Sequence, residues 1–475
     1  MALSQSMTRE QFQQIYQQGP EACFQLFQAL AQRVAALEDK LAPGPHTPSS
    51  AQGFIKPKNQ RPKTDRPTGG QKGHKGHTLE KNETPDETQK HQPNQCPNCG
   101  LNLKDIPGEV VEARQVIDLP EVIRFWTVEH QAIQVCCPGC KCQVKAEFPE
   151  HVSAPVVYGP NTQATCLVFK MEQAIALKRI VQMISDWFGH SPSEGTIQNW
   201  ISLASRRLVP AEQHIRKGII KAQCAGFDET MVRCAKKNFW IHVARTGKLS
   251  YFSAPGGRGK VAMGLAGVLP HFKGVALHDA LSGYFSFTHC EHALCSAHLL
   301  REGAGLKDRF DKAGVWTEPI LSWLLEVKKS AESGVLASRD CLVAQLRSLV
   351  RCGYVALGLS SPSEGEKLSA CSKELRSRVR WLDRLWFYAH EVTRFGWAAV
   401  KDWDSLTCFD NNGSERDIRP VKMFSKVFGC WRSLSGLADF CRLRSYISTL
   451  RKQGISARAG LLSVFLGNPI LPAIG

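Results

Sequence analysis

The chain reads as a multidomain α/β protein: a mixed β-sheet carrying a helical insertion, preceded by a self-pairing helix, a basic linker, a cysteine-rich module and a helical region. Three observations predict this. Its 475 residues exceed one small domain, and a hydrophobic content of 43% supplies at least one large core. The apolar pattern runs at helical spacing up to Lys221, switches to strand-like runs, and returns to helical spacing further on. Composition breaks between Ala42 and Gln95, where eight of the 25 prolines fall and Phe54 is the only aromatic.

Charge narrows the class of partner. Sixty Lys+Arg against 43 Asp+Glu leave +17, which suits a polyanion: DNA, RNA or an anionic membrane. No cationic-then-apolar signal opens the chain, and the apolar run from Leu461 to Ile474 is broken by Gly467, Asn468, Pro469 and Pro472. A soluble, intracellular protein is expected, with no membrane partner. Eighteen cysteines in such a compartment stay reduced, so those that act together should hold metal.

Cys23, Phe27, Leu30, Val34, Leu37 and Leu41 recur at a spacing of 3 and 4, which predicts a leucine-zipper-like helix over 8–41 and a homo-oligomer. An ordinary amphipathic helix would show the same stripe. In the linker, 42–95, Lys56, Lys58, Arg61, Lys63, Arg66, Lys72 and Lys75 face Asp65 alone and end in GGQKGHKGHTL, whose glycines let backbone lie close to phosphates. The other reading is a solvated tether.

The module 96–150 contains Cys96-Pro-Asn-Cys99 and Cys137-Pro-Gly-Cys140. Two such turns supply four thiolates, the donor set of a closed structural Zn²⁺ site, with Cys136, Cys142, His91 and His130 able to replace one ligand; a redox CxxC and chance in a cysteine-rich chain are the other readings. Val110 to Ile117 and Ile123 to Val128 are expected as strands filling the gap. From 155 to 220 the pattern is helical: Ala174 to Phe188, a stop at Gly189, then Ser193 to Leu208, with Arg206 and Arg207 adding charge. That is a helix-turn-helix outline, open to DNA reading or to plain packing.

Strand-like runs follow at Ala222 to Cys234, Phe239 to Ala244 and Leu249 to Phe252, then a helix-like run from Lys260 to Leu269 and a strand at Val275 to His278. Three strands, a helix and a parallel strand open a ribonuclease-H-like fold, whose fourth strand lies beside its first. Asp228 and Asp279 would then face each other, and paired carboxylates in a phosphodiester enzyme hold hard divalent cations. Glu415 is the candidate third acid. NNGSERDIRP places a capping Asn or Ser before it and Arg416 and Arg419 beside it. On spacing alone, 43 acidic residues offer many triples.

GGQKGHKGHTL, CPNCG, CPGC, FDET around Asp228, HDALSGY around Asp279, LCSAHLLRE around Cys295 and NNGSERDIRP around Glu415 occur in this order over nearly the whole chain. In these motifs the chain resembles the transposases of insertion-sequence family sixty-six. Lys72 stands where members usually have proline, and the tail 455–475 is short of the expected motif.

The resemblance implies a DDE transposase: zipper, linker, zinc module, then a catalytic domain over 221–302 and 406–454 interrupted by a helical insertion at 303–405. It implies Mg²⁺ or Mn²⁺ at Asp228, Asp279 and Glu415, structural Zn²⁺ at Cys96, Cys99, Cys137 and Cys140, and two-metal phosphoryl transfer at insertion-sequence ends and target DNA. Cys295, His298 and Arg301 form a C-x2-H-x2-R pattern suited to support near the scissile phosphate, or to packing. Terminal inverted repeats, small accessory proteins of the element and a cytoplasmic location go with the family. A catalytically inactive, transposase-derived DNA-binding regulator is the alternative, and a ribonuclease on the same fold is the next.

Overall fold

The computed structural model describes residues 81–117, 123–149, 151–152, 154–310, 312–362, 375–398 and 408–474, with a few isolated positions before 29. The zipper seam and the seven basic linker residues lie outside the described residues.

Between 96 and 149 the sequence expectation is corrected. Val110–Ile117 and Ile123–Val128 form no strands; Val111 and Val116 are each 89% exposed, and Phe125 lies against Tyr158 and Phe188 beside the helical core, so the first segment has no core to favour a ladder and the second is held by a single aromatic side chain. The pairing that forms is a short antiparallel ribbon, β1 (Gln134–Cys136) with β2 (Gln143–Lys145), closed over the second cysteine turn.

Four helices follow: α1 (Pro160–Met171), α2 (Leu177–Phe188), α3 (Glu194–Arg207) and α4 (Val209–Lys221). Their ends have local causes. Gly189 stops α2 in the left-handed conformation (φ 79°), which glycine adopts without a Cβ penalty, and the Ser193 hydroxyl accepts from the Thr196 N–H to cap α3. Ile180, Ile184, Ile197 and Trp200 turn the resulting helix-turn-helix inward onto one core.

The sheet comes next: β3 (Cys224–Cys234), β4 (Lys237–Arg245), β5 (Ser250–Ser253), then α5 (Lys260–Leu265), β6 (Val275–His278) and β7 (Glu291–Leu294). Strand order is β5-β4-β3-β6-β7, with β3, β4 and β5 antiparallel and β6 and β7 parallel to β3. The fourth strand therefore does lie beside the first. β7 was not anticipated, because Glu291, His292, Ala293 and Leu294 carry no β-branched residue.

A helical region continues with α6 (Ser296–Arg309), α7 (Gly314–Glu332), α8 (Arg339–Ala356), α9 (Arg376–Phe387) and α10 (Ala389–Thr393). It has its own core, in which Trp316, Leu346, Trp381, Leu382 and Leu385 meet; of the predicted stripe, Leu382, Leu385, Trp386 and Val392 lie in that core, and Val379 is buried as well. The chain closes with α11 (Asn412–Phe428), α12 (Leu434–Lys452) and α13 (Ala457–Phe465).

These last helices cover the sheet. Ile418, Val421 and Phe424 of α11 pack with Val232, Cys234, Ile241 and Val243. Along the edge strand β5, the Ser250 and Phe252 N–H groups donate to the hydroxyls of Thr449 (3.0 Å) and Ser445 (2.8 Å) on α12, so a helix satisfies an edge that would otherwise invite pairing. Arg207 donates to the Val464 and Phe465 carbonyls, both at 3.1 Å, at the end of α13. These bonds cap the C-terminal end of α13. Arg206 remains exposed.

Gly274 lies where β6 enters beside β3. A Cβ there would stand 2.5 Å from the carbonyl oxygens of both Ala222 and Gln223, which are backbone and have little freedom to retreat. Gly274→Ala is expected to lower the unfolding free energy by about 1–3 kcal/mol. Gly264→Ala, in α5 with nothing within 4 Å of the new carbon, should be neutral or stabilise by up to about 1 kcal/mol. Urea unfolding of the two variants reads both signs.

Candidate active site

Three acids from distant parts of the chain come to the same end of the sheet. Asp228 lies within β3 and Asp279 immediately follows β6, and the parallel register that pairs Cys224 with Val275 and Gly226 with Leu277 places Asp279 level with Asp228 when extended two residues. Glu415 sits in the first turn of α11. The start of that helix is fastened to β3: the Asn411 side-chain amide donates to the Phe227 carbonyl at 2.7 Å, one residue before Asp228.

Cys295 is the second fastening. Its N–H donates to the His278 carbonyl at 2.9 Å, next to Asp279, and its thiol accepts from the Asn411 N–H at 3.1 Å. The Ser296 N–H donates to Phe409 O at 2.9 Å, so β6, α6 and the approach to α11 meet at one point. Burial pushes the Cys295 thiol up to about 12, which makes it a hydrogen-bonding group and not a nucleophile.

One face of α6 then reaches Glu415. Arg301 donates to its Oε1 at 2.5 Å and His298 Nε2 lies 3.5 Å from the same atom, three residues apart on the helix. Burial alone would raise Glu415; the Arg301 guanidinium outweighs it and holds the carboxyl below its usual range. Lys422, two turns along α11, faces Asp228 and Glu415 as well; burial lowers its pKa, and those two carboxylates oppose the shift. Arg416 and Arg419 are exposed beside Glu415.

Asp228 lies among other carboxylates. Burial raises it well above the carboxylate range, and Glu229, Asp279 and Glu415 push it further. Glu229, which sequence reasoning passed over although it follows Asp228 in FDET, is 4% exposed. Its carboxylate accepts from Arg258 Nε (2.8 Å) and the Tyr284 hydroxyl (2.5 Å), and burial with the Asp279 charge raises it to about 7. Tyr284 stacks on His278, ring centroids 4.6 Å apart.

The loop bearing Asp279 is held rigidly. His278 Nδ1 accepts from the Ala280 N–H (3.2 Å), so its Nε2 carries the proton and donates to His292 Nδ1 at 3.0 Å. Burial keeps both imidazoles neutral by lowering their pKa values. Ala280 takes a left-handed φ of 70°, and the Leu281 N–H donates to Asp279 Oδ1 at 3.1 Å.

The metal expectations fit in chemistry and less in placement. Asp228, Asp279 and Glu415 form an all-oxygen set with excess negative charge, the character that suits a hard divalent cation. Each cysteine pair forms a turn whose neighbours favour a thiolate: backbone groups at Asn98 and Cys99 lower Cys96, and Cys142 and Cys137 lower Cys140. Among the described residues, however, no group of three or more His, Cys, Asp and Glu side chains converges as a metal-holding cluster. The two cysteine pairs thus do not meet at one point, and Glu415 is held by Arg301.

The family model described as Transposase IS66 family matches residues 155–439, more than half of the chain. No curated protein matches it. Among the described residues, no helix is long and apolar enough to cross a membrane.

Asn411→Ala would leave the buried Phe227 carbonyl without that partner and loosen the seat of α11. A loss of about 1–3 kcal/mol is expected in chemical denaturation. Asn412→Ala, one residue on and less buried, should stay within about 0.5 kcal/mol of wild type.

Proposed function

The chain belongs to the IS66 family of transposases, and from that premise we propose that it is a DDE enzyme that cleaves DNA at insertion-sequence ends and joins them to target DNA through Asp228, Asp279 and Glu415. The observation that carries this reading is the meeting of Asp228 and Asp279 on adjacent parallel strands with the Glu415 helix fastened to the same strand by Asn411. The strand order β5-β4-β3-β6-β7 supports a ribonuclease-H-like core, with 303–405 as its helical insertion.

Magnesium or manganese held by the three carboxylates would supply the Lewis acidity that activates a water or a 3′-hydroxyl and stabilises the leaving oxygen. The chain's own groups do the rest. Asn411, Cys295 and the His278–His292 pair set the backbone from which the acids project. Arg301 and His298 orient Glu415, while Lys422, Arg416 and Arg419 present positive charge to the phosphates on either side of the scissile bond. Glu229 with Arg258 and Tyr284 buttresses β3 and the turn after Asp279. No covalent protein intermediate is required.

Asp228→Asn, Asp279→Asn and Glu415→Gln should each abolish Mg²⁺-dependent strand cleavage of terminal-repeat DNA while leaving DNA binding largely intact, since the acids read no bases. Cleavage that survives in one variant removes that residue from the site. Cleavage absent from the wild type, with DNA binding kept, would favour the inactive regulator.

The cysteine module we assign to structural Zn²⁺, on the strength of two turns that each present two cysteines, with the Cys96 and Cys140 thiols lowered by neighbouring groups. Protein purified under reducing, chelator-free conditions should carry about one Zn²⁺ per chain. Cys96→Ser with Cys99→Ser should lose it, while far-ultraviolet dichroism from the sheet and helices persists. Wild-type protein free of zinc would overturn the assignment.

A further inference from the structure

Two tracts of the chain contain no acidic residue at all: from Thr230 to His278, and from Ile418 to Ala438. The first includes the β3–β4 hairpin tip, where Arg233, Lys236 and Lys237 are exposed. The second includes the outer face of α11 and the loop to α12, where Arg419, Lys426 and Arg432 are exposed. None of these six is ion-paired to a carboxylate among the described residues.

The fold brings the two tracts together. Trp431 bridges the end of β3: its N–H donates to the Arg233 carbonyl and its carbonyl accepts from the Ala235 N–H, both at 2.9 Å. Arg432 is thereby held beside the hairpin tip. The turn itself is built to hold a fixed shape, since Ala235 and Lys236 both take left-handed φ values of 47° and 63°, the geometry of a two-residue hairpin usually served by Asn-Gly.

The distance from the acids is set twice over. Asp228 to Cys234 is six residues of strand, about 20 Å at 3.3 Å each. Glu415 to Phe428 is thirteen residues of helix, again about 20 Å at 1.5 Å each. The two elements run side by side, fastened at Asn411–Phe227 and at Trp431–Arg233. Along α11, Arg419, Lys422 and Lys426 follow Glu415 at i+4, i+7 and i+11, one face of the helix. Positive charge therefore runs from the acids to the tip.

We propose that the β3–β4 hairpin tip and the α11–α12 loop, through Arg233, Lys236, Lys237 and Arg432, form a contact site for the backbone of duplex DNA about six base pairs from the scissile phosphate, at 3.4 Å per base pair. The site rests on the reading of Asp228, Asp279 and Glu415 as acting on DNA. It carries no base specificity; it fixes the direction in which the duplex leaves the acids. The partner is DNA and not an acidic protein, because the line of charge is continuous with the acids whose proposed substrate is DNA.

The test uses the full chain and a fluorescein-labelled duplex of about 40 base pairs of mixed sequence, with affinity measured across a salt series. Lys236→Gln, Lys237→Gln and Arg432→Gln together should reduce the slope of log affinity against log salt by about 2 to 3, at about 0.9 for each phosphate no longer neutralised. The charge-keeping triple Lys236→Arg, Lys237→Arg and Arg432→Lys should restore it. Lys217→Gln, Lys221→Gln and Lys329→Gln, exposed elsewhere, should leave the slope unchanged. Lys237→Glu alone serves should the triple fail to fold, with a slope change of about 1 or more expected. A wild-type slope retained by the hairpin variants, or an equal fall in the control, overturns the site while the acids' role stands. A wild-type protein with no affinity for DNA overturns both.

Discussion

The hydrogen bonds around Cys295 and Asn411 hold the candidate site together. Asp228, Asp279 and Glu415 come from a strand interior, a strand end and a helix start, and no local propensity brings such elements to one place. Asn411 ties the helix to β3, Cys295 ties it to β6, and both do so with buried atoms whose loss would strand a partner. Acids that repel one another need such a clasp, because their own charges push the site apart. Burial raises Asp228 first, and the neighbouring carboxylates of Glu229, Asp279 and Glu415 add to it.

A second layer of constraint keeps α11 on the sheet. Asp417 receives Lys452 Nζ at 2.8 Å and the Ser250 hydroxyl at 2.7 Å, and lies 3.5 Å from Arg245 Nε, so α12, β5 and β4 all hold one carboxylate on the Glu415 helix. Gly413 allows this closeness: a Cβ there would fall 1.7 Å from the Arg245 guanidinium. The helical region is built on the same rule. Gly303 and Gly353 lie against Trp381 and Leu382, letting α6 and α8 approach α9.

Much of this was legible in the sequence, for reasons that differ by element. The four strands before Asp279 announced themselves because their side chains are apolar and bounded by turn residues, and the three acids stood in motifs. Val110–Ile117 and Ile123–Val128 had the composition of strands and no partner to pair with, which composition does not reveal. Arg207 read as free charge because its carbonyl partners lie some 257 residues away. Glu229 and Asn411 stood beside singled-out residues, yet their roles arise from contacts 55 and 184 residues distant. Lys422 did leave a signal: seven residues after Glu415 is the same helical face.

The double fastening of β3 to α11 also decides where the gene tolerates length changes. One residue inserted in α11 between Glu415 and Phe428 lengthens it by only about 1.5 Å but turns everything beyond it by about 100°. Arg419, Lys422 and Lys426 would swing off the line of the acids, and Trp431 would miss its bridge to β3. An insertion in the stretch after Gly334, exposed and between two helices, disturbs one long-range backbone contact, from the Ala337 N–H to the Gly396 carbonyl at 3.0 Å, and moves no charge away from the acids. Frame-preserving insertions should therefore accumulate in the helical region and be purged from the seventeen residues of α11.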